Sequence, residues 1–214
     1  MRLVCMSDIH TKFSGLNVPD GDVFIFAGDY SFPGNENELV NFGSWLRTLP
    51  HKTKIVISGN HDRAAERLGK TLTAQVLTDK GKDKSIIYLQ DSFHIIDGIK
   101  FYGSPYTHEF GNWAFMRPKN RMAKIWGNIP LDTDVLITHG PPLNKCDYSI
   151  YNNEHAGCGH LDNRIKLLTK LKVHVFGHIH HSYGCVNENG VLFANASTCT
   201  ERYDPINPAV VVDI

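Results

Sequence analysis

The chain has 214 residues, 42% of them hydrophobic and 21% charged, with a formal net charge of +0. That length suits one well-buried α/β core, and the neutral balance leaves no electrostatic footprint for long nucleic acid or an anionic membrane. No apolar run approaches a membrane span, and the short run ahead of Asp8 lacks the length and cleavage site of a secretory leader.

In chain order, Arg2–Met6 is a short apolar run that meets Ser7-Asp8, and Val23–Ala27 is another that meets Gly28-Asp29. Residues 37–49 place Leu39, Phe42, Trp45, Leu46 and Leu49 at helical spacing, and Pro50 stops the run. Lys54–Ile57 then leads into Ser58-Gly59-Asn60-His61. Ser85–Leu89, Phe93–Ile96 and Lys100–Tyr102, separated by Gln90-Asp91 and Asp97-Gly98, predict antiparallel strands with tight turns. A weaker helical pattern covers 118–126, and 134–137 leads into Thr138-His139-Gly140. In residues 160–171, Leu161, Ile165, Leu168 and Leu171 predict a helix, after which Val173–Phe176 meets Gly177-His178-Ile179-His180. Tyr183–Val186, Val191–Ala194 and Ala209–Asp213 predict final strands, the first two joined at Glu188-Asn189-Gly190.

The runs that end in polar clusters are almost wholly apolar, as in strands covered on both faces. The expected architecture is a four-layer α/β/β/α sandwich, two mixed sheets face to face with helices outside, and residues 1–214 forming one domain. The five cysteines (Cys5, Cys146, Cys158, Cys185, Cys199) are scattered without CxxC spacing. Reduced thiols in a cytoplasmic setting are therefore expected.

The 12 histidines are the compositional outlier. Asp8 and His10, Asp29, Asn60 and His61, His139, and His178 and His180 all follow apolar runs, at the sheet edge where open α/β folds place ligands. Carboxylate, amide and imidazole together suit a divalent transition metal. In Asp8-Ile9-His10 and His178-Ile179-His180 the paired residues are two apart, so an extended backbone would aim each pair at one point and turn Ile9 and Ile179 to the core. Gly28, Gly59, Gly140 and Gly177 fit sharp turns or close approach to a metal. Each motif alone is weak, whereas all of them in this order are specific.

The order D-x-H, GD, GNH[DE], H-G, GH-x-H resembles the signature of the calcineurin-like metallophosphoesterase superfamily, from Asp8 to His180. GDYSFPG, WLRTLPHKTKIVISGNHD, IYLQDS, FYGSPYT, THGPPL, HVFGHIHHSYG and NASTC are similar to its small metallophosphoesterase-domain-containing subgroup, whose members include cyclic-nucleotide phosphodiesterases. The resemblance implies two divalent ions, manganese foremost with iron, zinc, nickel or cobalt as alternatives. Asp8, His10, Asp29 and His180 would hold one ion. Asn60, His139, His178 and the bridging Asp29 would hold the other, about 3.5–4 Å away. It further implies in-line attack on phosphorus by a hydroxide between the metals, with His61 protonating the leaving oxygen and Asp62 orienting that imidazole.

Tyr30, Phe32, Tyr106, His108, Trp113 and Asn195 are candidates to contact substrate, and residues 145–159 are a candidate covering loop. His181 is expected to face away from the ligand cluster. His51, His94, His155, His160 and His174 are expected to be solvated or core histidines. The leading expectation is a phosphodiesterase acting on a small substrate such as a cyclic nucleotide. Phosphomonoesterase, Ser/Thr protein phosphatase and non-catalytic interaction module are the alternatives.

Overall fold

The computed structural model describes residues 1–214. The chain runs β1 (Arg2–Met6), β2 (Val23–Ala27), α1 (Glu36–Thr48), β3 (Thr53–Ile57), α2 (Arg63–Leu77) and β4 (Ile86–Tyr88). It continues through β5 (Ser92–Ile96), β6 (Ile99–Ser104), β7 (Thr107–His108), β8 (Met116–Arg117), α3 (Lys119–Trp126) and β9 (Val135–Thr138). The last third contains β10 (Tyr148–Ser149), β11 (Glu154–His155), α4 (Gly159–Ile165), β12 (Val173–Phe176), β13 (Gly184–Glu188), β14 (Val191–Asn195) and β15 (Val210–Asp213).

One sheet has the order β15-β1-β2-β3-β4 and the other β13-β14-β12-β9-β6-β5. In each, the central strands are parallel and the outer partners β15, β13 and β5 are antiparallel. Period-two alternation divides every central strand between two apolar layers. Leu3 and Cys5 of β1, Ile25 of β2, Val135 and Ile137 of β9 and Val175 of β12 meet between the sheets. Val4 and Met6 of β1 and Phe24 and Phe26 of β2 point outward, onto Leu39, Phe42 and Leu46 of α1 and Leu77 of α2. Leu136 and Phe176 likewise pack on Met122 and Trp126 of α3 and Leu161 and Ile165 of α4. The α/β/β/α sandwich is thus present. Burial on both faces is the physical reason the strands read as unbroken apolar runs. No helix is long and apolar enough to cross a membrane.

α1 begins with a capping box, in which the Asn35 side chain accepts from the Glu38 N–H and Glu38 accepts from the Asn35 N–H. The Glu188-Asn189-Gly190 turn joins β13 to β14, with Asn189 and Gly190 both at positive φ as the expected hairpin requires.

Three local expectations need correction. α2 has no counterpart in the sequence reading, because its fully buried positions before Leu77 are Ala64, Ala65 and Thr73, with Leu68 and Val76 only half-buried against the core. Gly69, at φ 75, also breaks its periodicity. Residues 85–89 do not join an antiparallel meander: β4 pairs parallel with β3 at the edge of the first sheet, and only β5 and β6 form the hairpin. α4 ends at Ile165, and Leu168 and Leu171 reach the core from tight turns instead.

Tyr30 belongs to this core and not to the substrate site. It is 1% exposed, its ring stacks on Phe42 at 4.4 Å, and its hydroxyl meets Ser58 Oγ at 3.1 Å. Tyr30→Phe is therefore expected to cost about 1 kcal/mol in thermal or urea unfolding and to leave kcat/KM unchanged. A raised KM in that variant would place the hydroxyl within reach of substrate after all.

Candidate metal centre

The polar clusters meet at the C-terminal ends of the parallel strands. The backbone there is not extended: Asp8 (φ 52), His10 (φ 42), Asp29 (φ 59) and His178 (φ 71) all occupy the left-handed region, while His180 opens a 3₁₀ turn. The paired residues therefore converge through tight turns and not through strand alternation. Such conformations cost about 1 kcal/mol or more each for non-glycine residues. Cross-bracing offsets the cost: Asp8 N–H donates to Gly28 O, His10 N–H to Asp29 O, and Gly177 N–H to His139 O, at 2.9, 3.1 and 2.9 Å. Ile9 faces the core as expected, whereas Ile179 is half-buried at the cavity wall.

Close approach explains the glycines on these turns. A Cβ at Gly59 would lie 2.3 Å from Asp29 Oδ1, and one at Gly177 only 1.9 Å from Asp8 Oδ2. Gly28 combines φ 97 with a Cβ position 2.7 Å from His139 Nδ1. Gly140 is roomier, its nearest neighbour being the Thr107 methyl at 3.1 Å.

Hydrogen bonding fixes which ring nitrogens face inward. His10 Nδ1 meets Ser31 O at 3.1 Å, His139 Nδ1 meets Ala27 O at 2.9 Å and His180 Nδ1 meets Thr200 O at 2.9 Å. A carbonyl only accepts, so each Nδ1 carries the proton and, in a neutral ring, each Nε2 presents a lone pair. His10 Nε2 and His180 Nε2 face each other at 3.2 Å, with Asp8 Oδ1 3.4 Å from the latter. His139 Nε2 lies 2.9 Å from Asn60 Oδ1 and 3.3 Å from Asp29 Oδ2, and His10 Nε2 lies 4.0 Å from that same Asp29 oxygen. Asp8, His10 and His180 thus form one cluster able to hold a cation, and Asp29, His139 and His178 form another.

The electrostatics point the same way. Burial raises the pKa of Asp8 and Asp29, yet the surrounding imidazoles hold both well below the usual carboxylate range. Burial pushes His10 down to about 4 and His178 to about 3. Burial also works against charge on His139, but Asp29, Asp8 and the Ala27 carbonyl outweigh it and raise this ring to about 9. The arrangement demands positive charge among its carboxylates, which a proton on His139 or a pair of divalent cations would supply.

His61 stands at the edge of this cluster. Its backbone N–H donates to Asp29 Oδ1 at 2.7 Å and its Nδ1 to Phe32 O at 2.7 Å, leaving Nε2 as the free ring nitrogen. The ring sits between Phe32 (5.7 Å) and Trp113 (4.4 Å), edge-on to His10 at 4.6 Å. Asp62 does not touch the imidazole, contrary to expectation. Its carboxylate accepts from the backbone N–H of Asp29, Ser31 and Gly59 and from Ser31 Oγ, clamping the turns after β2 and β3 together.

A cavity of about 940 Å³ opens over the cluster, floored by Asp29, Asn60, His61, His178 and His180. Tyr106, His108 and Trp113, the candidates for substrate contact, line it together with Phe110, Tyr151 and Tyr203, which the sequence did not single out. Phe110 packs over His178 at 5.0 Å, and Tyr203 stands edge-on to His10 at 4.8 Å. Residues 145–159 form the hairpin β10–β11 and its flanks, much of it cavity wall. Of the remaining histidines, His174 is buried and bonded to Thr138 Oγ1 and His51 is buried against Pro19 O, while His94 is exposed. His155, His160 and His181 line the cavity away from the ligand cluster.

Asn195 is not at the cavity. It is 0% exposed, and both ends of its amide are bonded internally. Ser197 is a further residue the sequence reading missed: its Oγ lies 2.9 Å from Asp8 Oδ2. The only signal for either was their place in the NASTC motif.

Fold and site together define a metallohydrolase-type centre, with carboxylate, amide and imidazole groups able to hold cations gathered at one edge of an α/β/β/α sandwich. The calcineurin-like phosphoesterase family model matches residues 1–182, and the chain belongs to that family. It is thereby a metal-dependent phosphoesterase with a dinuclear divalent-metal site. Human metallophosphoesterase domain-containing protein 1 is 35% identical over 230 residues, covering 100% of this chain and 71% of that protein. A UPF0046 protein of Caenorhabditis elegans is 35% identical over 209 residues, covering 94% of this chain and 71% of that protein. The crystal structure of a hypothetical protein from Thermus thermophilus shares the fold, with a TM-score of 0.50 at 14% identity, covering 94% of this chain and 79% of that one.

Proposed function

We propose that the protein is a phosphodiesterase for a small substrate, with a cyclic nucleotide the class that the subgroup likeness suggests, acting in the cytoplasm with manganese. Asp8, His10, Asp29 and His180 hold one ion, and Asp29, Asn60, His139 and His178 hold the other. The observation that carries this assignment is the convergence of Nε2 lone pairs on carboxylate and amide oxygens, with the Nδ1 of His10, His139 and His180 each committed to a backbone carbonyl. Such a tautomer lock is how proteins prepare imidazoles for metals.

Two divalent ions there would polarise the phosphoryl oxygens and bring a water's pKa down far enough to supply a nucleophile near neutral pH. The chain's own contribution is orientation and proton transfer. His61 Nε2 delivers a proton to the leaving oxygen, and the Phe32 and Trp113 rings hold the imidazole for that transfer. A cavity of about 940 Å³ has room for both substituents of a diester, and its aromatic lining suits an apolar or heteroaromatic leaving group.

The test is to load the purified protein with Mn²⁺, count bound ions, and profile cyclic nucleotides, aryl mono- and diesters and a phosphopeptide. Two ions per chain, diester turnover above monoester turnover and loss of both with chelator are expected. A two-ion load without hydrolysis of any ester would make the chain a non-catalytic module.

A further inference from the structure

Asn195 ends β14 with a carboxamide that is fully buried and fully bonded. Its Nδ2 donates to Ile179 O at 2.9 Å and to Cys146 O at 3.1 Å. Its Oδ1 accepts from the Ser197 N–H at 3.1 Å and stands 2.8 Å from Ser197 Oγ, whose single proton is shared between Asn195 and Asp8. Carbonyls only accept and a backbone N–H only donates, so the partners dictate which end of the amide is which.

The two carbonyls belong to different parts of the site. Ile179 is the residue between His178 and His180. Cys146 precedes Asp147, the buried anchor of the β10–β11 hairpin, whose Oδ2 accepts from the Asn144 and Gly157 N–H groups and whose Oδ1 meets His155 Nδ1 at 2.7 Å. The hairpin is tied again to the residues after His180: Ile150 N–H donates to His181 Nε2, and Ser182 Oγ to Tyr148 O, both at 2.9 Å. One side chain therefore joins the cavity wall to the turn that carries two imidazoles, with Ser197 linking both to Asp8.

We propose that Asn195 is a positioning residue that registers the β10–β11 hairpin on the His178–His180 turn, so that cavity wall and ligand cluster hold their geometry together. The inference rests on the ligand assignment proposed above. The chemistry demands a neutral donor–acceptor. An aspartate of the same shape would set a bare oxygen against two carbonyls, and a serine would leave both carbonyls without their donor.

The test compares wild type with Asn195→Asp and Asn195→Ser. Folding is checked by circular dichroism, Mn²⁺ affinity by the free-ion EPR signal, and hairpin order by amide exchange over 145–158. Mn²⁺ binding is expected to weaken about 10–100-fold in the folded variants, with faster exchange in the hairpin. An asparagine that served folding alone would lower the melting temperature and leave both readouts at wild-type values, which would overturn the proposal, as would failure of both variants to fold. If wild type binds no ion pair, the ligand assignment itself has failed, and unchanged hairpin exchange in the variants still sinks the lock.

Discussion

Gly177→Ala is expected to weaken metal binding by at least about a hundredfold while Gly140→Ala leaves it near wild type. The two glycines follow the same pattern in sequence, each beside a candidate ligand histidine at a strand end. Their surroundings differ sharply. An alanine methyl at 177 would lie 1.9 Å from Asp8 Oδ2 and 2.1 Å from Ser7 Oγ, well inside van der Waals contact. The carboxylate cannot yield cheaply, because Ser7 Oγ, Ser197 Oγ and the His178 N–H all bond to Asp8 Oδ2, at 2.5, 2.9 and 3.0 Å. Relief must come from moving Asp8 or the turn bearing His178 and His180. Either movement opens the cluster and adds roughly 1–3 kcal/mol of overpacking strain to the metal-free fold. At 140 the methyl would meet only the Thr107 methyl, at 3.1 Å. Isothermal titration with Mn²⁺, alongside thermal melts of the metal-free proteins, separates the two effects. Wild-type affinity in a folded Gly177→Ala protein would show that Asp8 is not a ligand.

His61→Ala is expected to lower kcat at least about a hundredfold on a diester with an alkoxide leaving group, with both ions retained. Retention follows from the geometry, since the histidine reaches Asp29 through its backbone N–H and that bond survives the substitution. The defect should shrink with a nitrophenyl leaving group, which departs without a proton. A uniform loss across leaving groups would assign the imidazole an electrostatic role. Normal turnover on the alkyl ester would remove His61 from the chemistry altogether. No carboxylate stands behind this ring: Phe32 O accepts from Nδ1, and Asp62 is occupied with the backbone of three neighbouring residues. Asp62→Asn should therefore act on stability and on the placement of Asp29 and Asn60, and not on proton transfer directly.

The contrast between His61 and Asp62 shows how far motif reading reaches. Both sit in one tetrapeptide, yet only the bonding of each side chain separates a group facing the cavity from one clamping two turns. Tyr30 and Asn195 make the same point, since both carry polar groups near ligand motifs and both are committed to internal partners. Phe110 and Tyr203, which pack on His178 and His10, carry no signal in the sequence because ordinary loops contain such residues as often.

Local periodicity determined the strands that carry the ligands: burial on both faces writes an unbroken apolar run, and the polar residues after it mark the sheet edge. It also determined the two mixed sheets and the outer helices that show apolar spacing, while the motifs named the candidate ligands. α2 escaped because Gly69 splits its apolar positions and alanine and threonine take most of its fully buried ones, and the pairing of β4 escaped because no short run encodes which neighbour it will choose. What the tertiary structure alone decided was how the turns close. His10 and His180 face one another across 170 positions of sequence, and His139 is held by a carbonyl 112 positions away. Their shared geometry depends on left-handed turns, Nδ1–carbonyl locks and the Asn195 amide, all of which are contacts between segments that no local pattern specifies.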